Sequence, residues 1–444
     1  MLRIGSGAGF AGDRIEPALA LVADGNLDYL ILEGLAERTI ALAQQQKRRN
    51  PQYGYNEYLE ERMRRLLPLL LDKKVRLITN MGAANPTSAA KKIVEIANSM
   101  GLPCKVAAVT GDNVLEKLNR ESKAIESGKP LHNYEPIISA NAYLGIEALL
   151  PALATDVNII VTGRVADPSL FLAPIVHHYN WDLENDELLG QGTLVGHLLE
   201  CAGQVTGGYF ADPGRKDVKD LANLGFPYAI IEPNGDAIIT KLENTGGTVS
   251  LGTVKEQLLY EVHDPKNYVT PDCVADFSSV KLKEIGPNQI LVHGATGKRK
   301  PKRLKVSVGY QAGYLGEGEI SYGGSTAVTR AELAKQILEE RLQHNVPLLH
   351  IDLMGVDSLH QSQFGSYHPY EVRVRVSALC RNIEEAKIIG HEVESLYTNG
   401  PSGGGGARKR VEEVIGIIST FIQREDITVK MEIWSDSHVQ NKIG

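Results

Sequence analysis

The chain has 444 residues, enough for two or three domains, because one hydrophobic core rarely grows beyond roughly 250–300 residues. Its 43% apolar and 23% charged residues are those of an ordinary globular protein, and a formal net charge of -7 excludes a nucleic-acid surface as its main business. No apolar run is long enough for a bilayer and no export signal follows Met1, so a soluble, cytoplasmic protein without a membrane partner is expected.

The elements are predicted as an alternation of strands and helices. LRIG opens the chain, a helix follows through PALALVADG, and DYLILEG is the second strand. A long amphipathic stretch runs from Glu37 to Leu71, broken by RRNPQYGYNEY. VRLITN, KVAAVT and VNIIVTG are apolar and β-branched without polar alternation, the pattern of strands buried on both faces. Leu189 to Gly208 reads as a helix ending in glycines, and YAIIEPNGDAIIT as a hairpin turning at Asn234-Gly235. From Lys302 the order is strand, helix, two strands and two helices, the second helix being ARKRVEEVIGIISTFI, with ITVKMEIW as a last strand. The fold class is therefore α/β, with a largely parallel sheet of βαβ units in the N-terminal half, a mixed region, and an α+β C-terminal domain. Domains are expected at residues 1–180 (ligand binding), 181–300 (completing the core) and 301–444.

Strands of this kind run into polar, glycine-rich turns, which a parallel sheet gathers at its carboxyl edge, where ligands bind. The candidate catalytic residues lie there: Asp13, Glu33 and Asp112 to exchange a proton, Arg164 to anchor a carboxylate, and Asp167 beside it. Gly7, Gly9, Arg38, Asn80, Asn85, Asn113 and Asn141 are candidates for substrate binding, the asparagines to orient carbonyl oxygens. Taken singly, the same residues are explained as helix caps, turn formers and ion-pair partners. Gly7-x-Gly9-x-x-Gly12, with Glu33 after the next strand, has the spacing of a dinucleotide loop, and a plain tight turn explains it as well. Gly404, Gly405 and Arg408, placed before the helix expected from Ala407, form a second candidate anion site.

Other features point to structure. His177, His178 and His197 lack metal-ligand spacing, and Cys104, Cys201, Cys273 and Cys380 form no CxxC pair, so neither zinc nor a disulfide framework is signalled. The basic run Lys298 to Lys305 reads as a solvated hairpin edge. The metal is unassigned, since Asp13, Glu33 and Asp112 could offer oxygen ligands to magnesium but are scattered among loops.

The succession GAGFAGDR, ILEGLAERT, NMGAANP, VTGDNV, ANAYLG, VTGRVADPSL and ECAGQVTGGYFAD, with ENTGGTVSLGTVKEQLLYEVHDP after it, resembles the acyclic terpene utilisation protein A (AtuA) family from Gly5 to about Tyr322. The resemblance implies a soluble protein of branched-terpenoid or organic-acid breakdown, and a small companion subunit as a partner. The leading functional expectation is a catabolic lyase, of hydratase or dehydratase type, acting on a small carboxylate or its coenzyme A thioester. The alternatives are a nucleotide- or NAD-dependent enzyme using the Gly5–Gly12 loop, and a noncatalytic assembly subunit of a companion protein. A homo-oligomer is expected, as for many metabolic α/β proteins.

Overall fold

The computed structural model describes residues 1–436 except 345, 347 and 361–368. The chain begins with β1 (Leu2–Ala8), α1 (Glu16–Asp24), β2 (Tyr29–Leu32), α2 (Glu37–Arg49), α3 (Leu59–Lys73), β3 (Arg76–Thr79), α4 (Pro86–Ser99) and β4 (Val106–Thr110). It continues through β5 (Ile137–Ala142), α5 (Leu150–Leu153), β6 (Ile159–Thr162), α6 (Asp167–Tyr179) and α7 (Asp186–Glu200). Next come β7 (Pro227–Ile231), β8 (Ala237–Lys241), α8 (Leu251–Leu259), β9 (Tyr268–Val269), β10 (Val274–Asp276), β11 (Lys281–Gly286), β12 (Gln289–His293) and β13 (Thr296–Lys298). The last part holds β14 (Arg303–Gly323), α9 (Ala327–Leu342), β15 (His350–Met354), β16 (Glu371–Cys380), α10 (Ile383–Asn399), β17 (Gly405–Gln423) and β18 (Lys430–Trp434).

Two compact units share this chain. Of the described residues, the first comprises those in 1–133, 137–309 and 417–436, and the second those in 134–136 and 310–416. The first is built on a ten-stranded sheet of order β11-β12-β8-β7-β1-β2-β3-β6-β4-β18. Its middle strands β1, β2, β3, β6 and β4, all from the N-terminal half, are mutually parallel, while β7, β8, β12, β11 and β18 join antiparallel, so the sheet as a whole is mixed. All four residues of β2 (YLIL) and of β6 (IIVT) are buried, as expected of strands covered on both faces. Leu21 of α1, Leu66 and Leu70 of α3, and Ile93 and Val94 of α4 close one core with Leu30, Leu77 and Val106 from the sheet. Asn85 fixes the start of α4, its side chain accepting from the Ser88 amide at 3.4 Å. The turn at Asn234-Gly235 joins β7 to β8 as the sequence predicts, with Gly235 at φ +86°.

The second unit contains the sheet order β15-β16-β14-β17, in which β16 is antiparallel to both β15 and β14. Val372, Val374, Val376 and Ala378 alternate inward along β16 and meet Ala331 and Leu338 of α9 and Ile389 and Val393 of α10.

Three expectations are corrected. The segment ARKRVEEVIGIISTFI is not a helix but most of β17. Its Val411, Val414, Ile415, Ile417, Ile418 and Thr420 are β-branched, and this density outweighs a helical spacing interrupted by Gly416. The last strand, β18, pairs with β4 of the first unit, from Lys430 opposite Thr110 to Trp434 opposite Val106. Apart from residues 134–136, residues 1–180 and 181–300 fall in one unit, because β7 continues the sheet from β1, and the main stretch of the second unit begins at residue 310.

Gly416 separates the two readings of β17 by the sign of a stability change. A Cβ there would lie 2.4 Å from the Tyr310 ring. Gly416→Ala is expected to destabilise the protein by about 1–3 kcal/mol through overpacking, whereas a helix would gain about 0.5–1 kcal/mol from the same change. Urea unfolding of both proteins reads the sign.

Candidate functional site

A cavity of about 900 Å³ opens in the first unit. Its wall is formed by the loops after β1, β2 and β6, the end of α7, the segment from Tyr260 to Pro271, and Arg303 to Lys305. Of the sequence candidates, Gly9, Asp13, Glu33, Arg164 and Asp167 line it.

Glu33 follows β2 directly, and its backbone N–H is taken by the Ala8 carbonyl at 3.2 Å, so its position is set by the sheet. The side chain is only 7% exposed. Oε1 accepts from the Leu35 amide at 2.8 Å and from Asn80 Nδ2 at 3.0 Å, and Asn80 Oδ1 accepts in turn from the Gly34 amide at 2.8 Å. Asn80 therefore aims Glu33 rather than a substrate. Burial, reinforced by the Asp167 carboxylate, pushes Glu33 up to about 8 against the opposing pull of Arg164.

Arg164 is buried to 1%. Nε and Nη2 donate to the Val165 carbonyl at 3.2 and 2.6 Å, Nη1 donates to the Leu35 carbonyl, and Nη2 also donates to Asp167 Oδ1. Its guanidinium lies 4.7 Å from the centre of the Tyr143 ring. With most donors committed to the protein, Arg164 ties the loops after β2 and β6 together and does not present the open fork expected of a substrate anchor. Burial works against its charge, but Asp167, Tyr143 and Glu33 outweigh this and keep it a cation.

Asp112 lies beneath this layer and does not line the cavity. Its Oδ2 accepts from Asn141 Nδ2 at 2.8 Å and from the Arg164 amide at 3.0 Å, while Asn141 Oδ1 accepts from Gln44 at 3.4 Å. The pair supports the backbone of Arg164. Asp13 is also tied down, Oδ2 accepting from the Gly9 amide at 3.0 Å and Oδ1 from the Arg14 amide at 2.8 Å, and burial raises its carboxyl.

The remaining candidates are elsewhere. Gly7 packs under Leu32, where a Cβ would come within 2.7 Å of its side chain. Asn85 caps α4 and donates to the Pro51 and Tyr53 carbonyls, each at 2.8 Å; Asn113 is exposed and caps a turn at Leu115; Arg38 is exposed. Gly404, Gly405 and Arg408 lie at the start of β17 in the second unit, so the helix terminus that defined that anion site does not exist.

Several cavity residues escape the sequence reading. Glu200, the last residue of α7, accepts or shares a proton with His197 Nδ1 at 3.0 Å. Burial pushes Glu200 up to about 7, with His197 pulling the other way and Asp167 and Glu261 adding to the rise. The signal was present: Glu200 is the only Asp, Glu, Lys or Arg between Glu187 and Asp212. Burial and Glu200 push the neighbouring Cys201 thiol up, away from the thiolate a nucleophile needs. On another wall Tyr143 donates to Glu37 Oε1 at 2.5 Å, and Lys305 Nζ lies 3.4 Å from the same oxygen and 5.0 Å from the Tyr143 ring. Burial works to raise Glu37, but Tyr143, Lys305 and Arg164 hold it below the ordinary carboxylate range. Arg303 stacks on Phe421 at 4.8 Å and makes no ion pair among the described residues. The basic run is largely exposed and begins on β13, an edge strand, as expected, but it is not a hairpin: β13 pairs with β10, β14 pairs with β5, and Arg303 and Lys305 also line the cavity.

Among the described residues no three His, Cys, Asp or Glu side chains gather as a metal-binding group, and no helix is long and apolar enough to cross a membrane. A family model described as acyclic terpene utilisation family protein AtuA matches residues 2–433. The chain belongs to the AtuA family. The match extends beyond the region of resemblance, through the second unit to β18, so the AtuA pattern includes both units. No curated protein and no solved structure matches the chain.

The protonation of Glu33 couples this AtuA-family site to stability. A carboxyl raised from 4.5 to about 8 on folding binds a proton that the unfolded chain releases. Its stabilising effect is complete below about 4.5 and is lost as pH rises through about 8. Glu33→Gln keeps an acceptor for Leu35 and Asn80 but cannot ionise. The melting temperature of the variant relative to wild type is therefore expected to rise across that window, as read by scanning calorimetry at a series of pH values.

Proposed function

We propose that the protein is a catabolic lyase that adds or removes water on a small carboxylate or its coenzyme A thioester. The supporting observation is the presence in one cavity of two carboxyl groups in different environments, Glu33 raised to about 8 and Glu200 to about 7. At neutral pH the first is an acid and the second has a substantial carboxylate fraction, the division of labour that elimination of water needs.

In the dehydration direction Glu200 takes the proton from the carbon next to the carbonyl. The C–H electron pair forms the new double bond, the C–O bond to the hydroxyl breaks, and Glu33 gives its proton to the departing hydroxyl, which leaves as water. Glu200 ends protonated and Glu33 ionised, so one proton has crossed the site. Lys305 and Arg303 replace Arg164 as the cations for the substrate's anionic or carbonyl end. Arg164 acts as a positioning residue through Leu35 and Asp167. The 900 Å³ volume is at the upper end of the ~300–1,000 Å³ range for small-molecule sites and accommodates an acyl group with part of a carrier.

The dinucleotide alternative loses its main argument. The Gly9 amide is occupied by Asp13, and α1 begins only at Glu16 rather than at the glycines. Gly9 is required for another reason, since a Cβ there would lie 2.6 Å from the Cys201 backbone.

The test is a panel of 3-hydroxy and unsaturated acids and thioesters incubated in deuterated water and followed by NMR. Glu200→Gln is expected to lower both carbon–deuterium exchange and water loss by about 10²–10⁴-fold, and Glu33→Gln to lower water loss while retaining exchange. Turnover should be greatest between the two carboxyl values, about 7 and about 8, falling on the acid side as Glu200 protonates and on the alkaline side as Glu33 ionises. Wild-type rates of water loss in both variants would remove the reading.

A further inference from the structure

His197 is a buried histidine whose two ring nitrogens are both engaged. It is 1% exposed and lies against Tyr268 and Phe277, with ring centres 5.0 and 5.5 Å away. Nε2 is 3.2 Å from the Leu258 carbonyl and Nδ1 is 3.0 Å from Glu200 Oε1. A carbonyl oxygen only accepts, so the Leu258 contact requires a hydrogen on Nε2. In the neutral ring Nδ1 is then bare, and a bond to Glu200 needs a hydrogen from the carboxyl. In the alternative the ring is an imidazolium and Glu200 a carboxylate. Both states hold the same single proton between Nδ1 and Oε1 and have the same net charge.

The geometry points to His197 as the store of one proton shared with Glu200, with the Leu258 carbonyl selecting the ring nitrogen that takes part. This rests on the proposed lyase reading only for its catalytic use. Glu200 Oε2 is shielded from solvent and has no hydrogen-bond partner among the described residues, in a side chain that lines the cavity. It is the oxygen of the pair left without a hydrogen bond, and it lies just under the cavity surface, so a shift of the Glu200 side chain has to bring it to a substrate. When Oε2 then takes the proton from the substrate carbon, the C–H bond breaks, its electron pair stays on the substrate, and an O–H bond forms. The imidazolium keeps its own proton and continues to donate to Oε1. The pair then carries one positive charge opposite the negative charge developing on the substrate, and His197 acts as a positioning residue rather than touching the substrate.

Two other charged groups that face Glu200 disfavour its ionisation, Asp167 of α6 and Glu261 beyond α8, while Glu33, Cys201 and Tyr268 lie around the same cavity, and Glu200 in turn raises Cys201 and Tyr268. Among the described residues, His197 is the group that opposes them at hydrogen-bond distance.

The experiment is ¹⁵N-histidine and ¹³C-glutamate NMR of the full chain between pH 5 and 9, with His197→Gln and Glu200→Gln used to assign the signals. The expected result is a protonated Nε2 throughout, with Nδ1 of His197 and Cδ of Glu200 moving together over one shared titration. Loss of the Nδ1 proton in Glu200→Gln, and an upward shift of the Glu200 midpoint in His197→Gln, complete the pattern. A bare Nε2, or two independent titrations, would overturn the proposal from the wild-type spectra alone, even if a variant failed to fold. Because no substrate is present, these outcomes are independent of the lyase reading. If turnover is found, His197→Gln should move the acid limb of the pH profile upward, which a purely structural defect would not do.

Discussion

The site depends on one buried cation. Arg164 sits at the end of β6 with its guanidinium bound to the Leu35 and Val165 carbonyls and the Asp167 carboxylate, under the face of Tyr143. Removing one member of a buried ion pair typically costs about 3–5 kcal/mol because the partner is left uncompensated. Here Asp167 opens to the cavity, its side chain about a third exposed at 36%, which moderates that figure at its end but not at Arg164, at 1%. The cation therefore enforces an arrangement: the loops after β2 and β6 must lie together, or a charged group is left unsatisfied in the interior. Asp112 and Asn141 extend the same requirement to the loop after β4 and to β5 itself.

From that constraint the electrostatics of the cavity follow. Asp167, held beside Arg164, adds its charge to the burial of Glu33, and the Glu33 carboxyl is raised to about 8. The approach of Gly9 to Cys201 brings the loop after β1 against the end of α7, so Glu200 joins the same wall. Carboxyl groups that are far apart in sequence, from Glu33 to Glu261, are thereby collected around one cavity, where Asp167 raises both Glu33 and Glu200 and Glu261 adds to the rise of Glu200. Asn80 bonds to Glu33 itself, and Asp112 holds the backbone of Arg164.

Much of this was readable in the sequence, and the gaps have physical causes. Strands such as YLIL and IIVT declare burial on both faces, and Glu33, directly after one of them, falls where a parallel sheet places its ligands. What a linear reading cannot supply is the partner. Arg164 looked like a substrate anchor and Asp112 like a proton carrier because their chemistry fits, and only the arrangement of carbonyls and amides around them shows that their hydrogen bonds are largely committed. Lys305 looked like a solvated strand edge because the Glu37 and Tyr143 beside it are more than 160 residues away in the chain. β17 was misread because its apolar residues are so dense that they fit either period, and β-branching, not spacing, was the better guide.

The pairing of β18 with β4 has a consequence for biosynthesis. As the chain leaves the ribosome, β4 emerges long before residues 430–434, and the whole second unit is made in between. During that interval the β4 side of the sheet presents an unpaired, apolar edge of the kind that recruits foreign strands. The nascent protein must therefore pass through a stage in which its site-bearing sheet is largely formed yet adhesive, and only the last strand ends it.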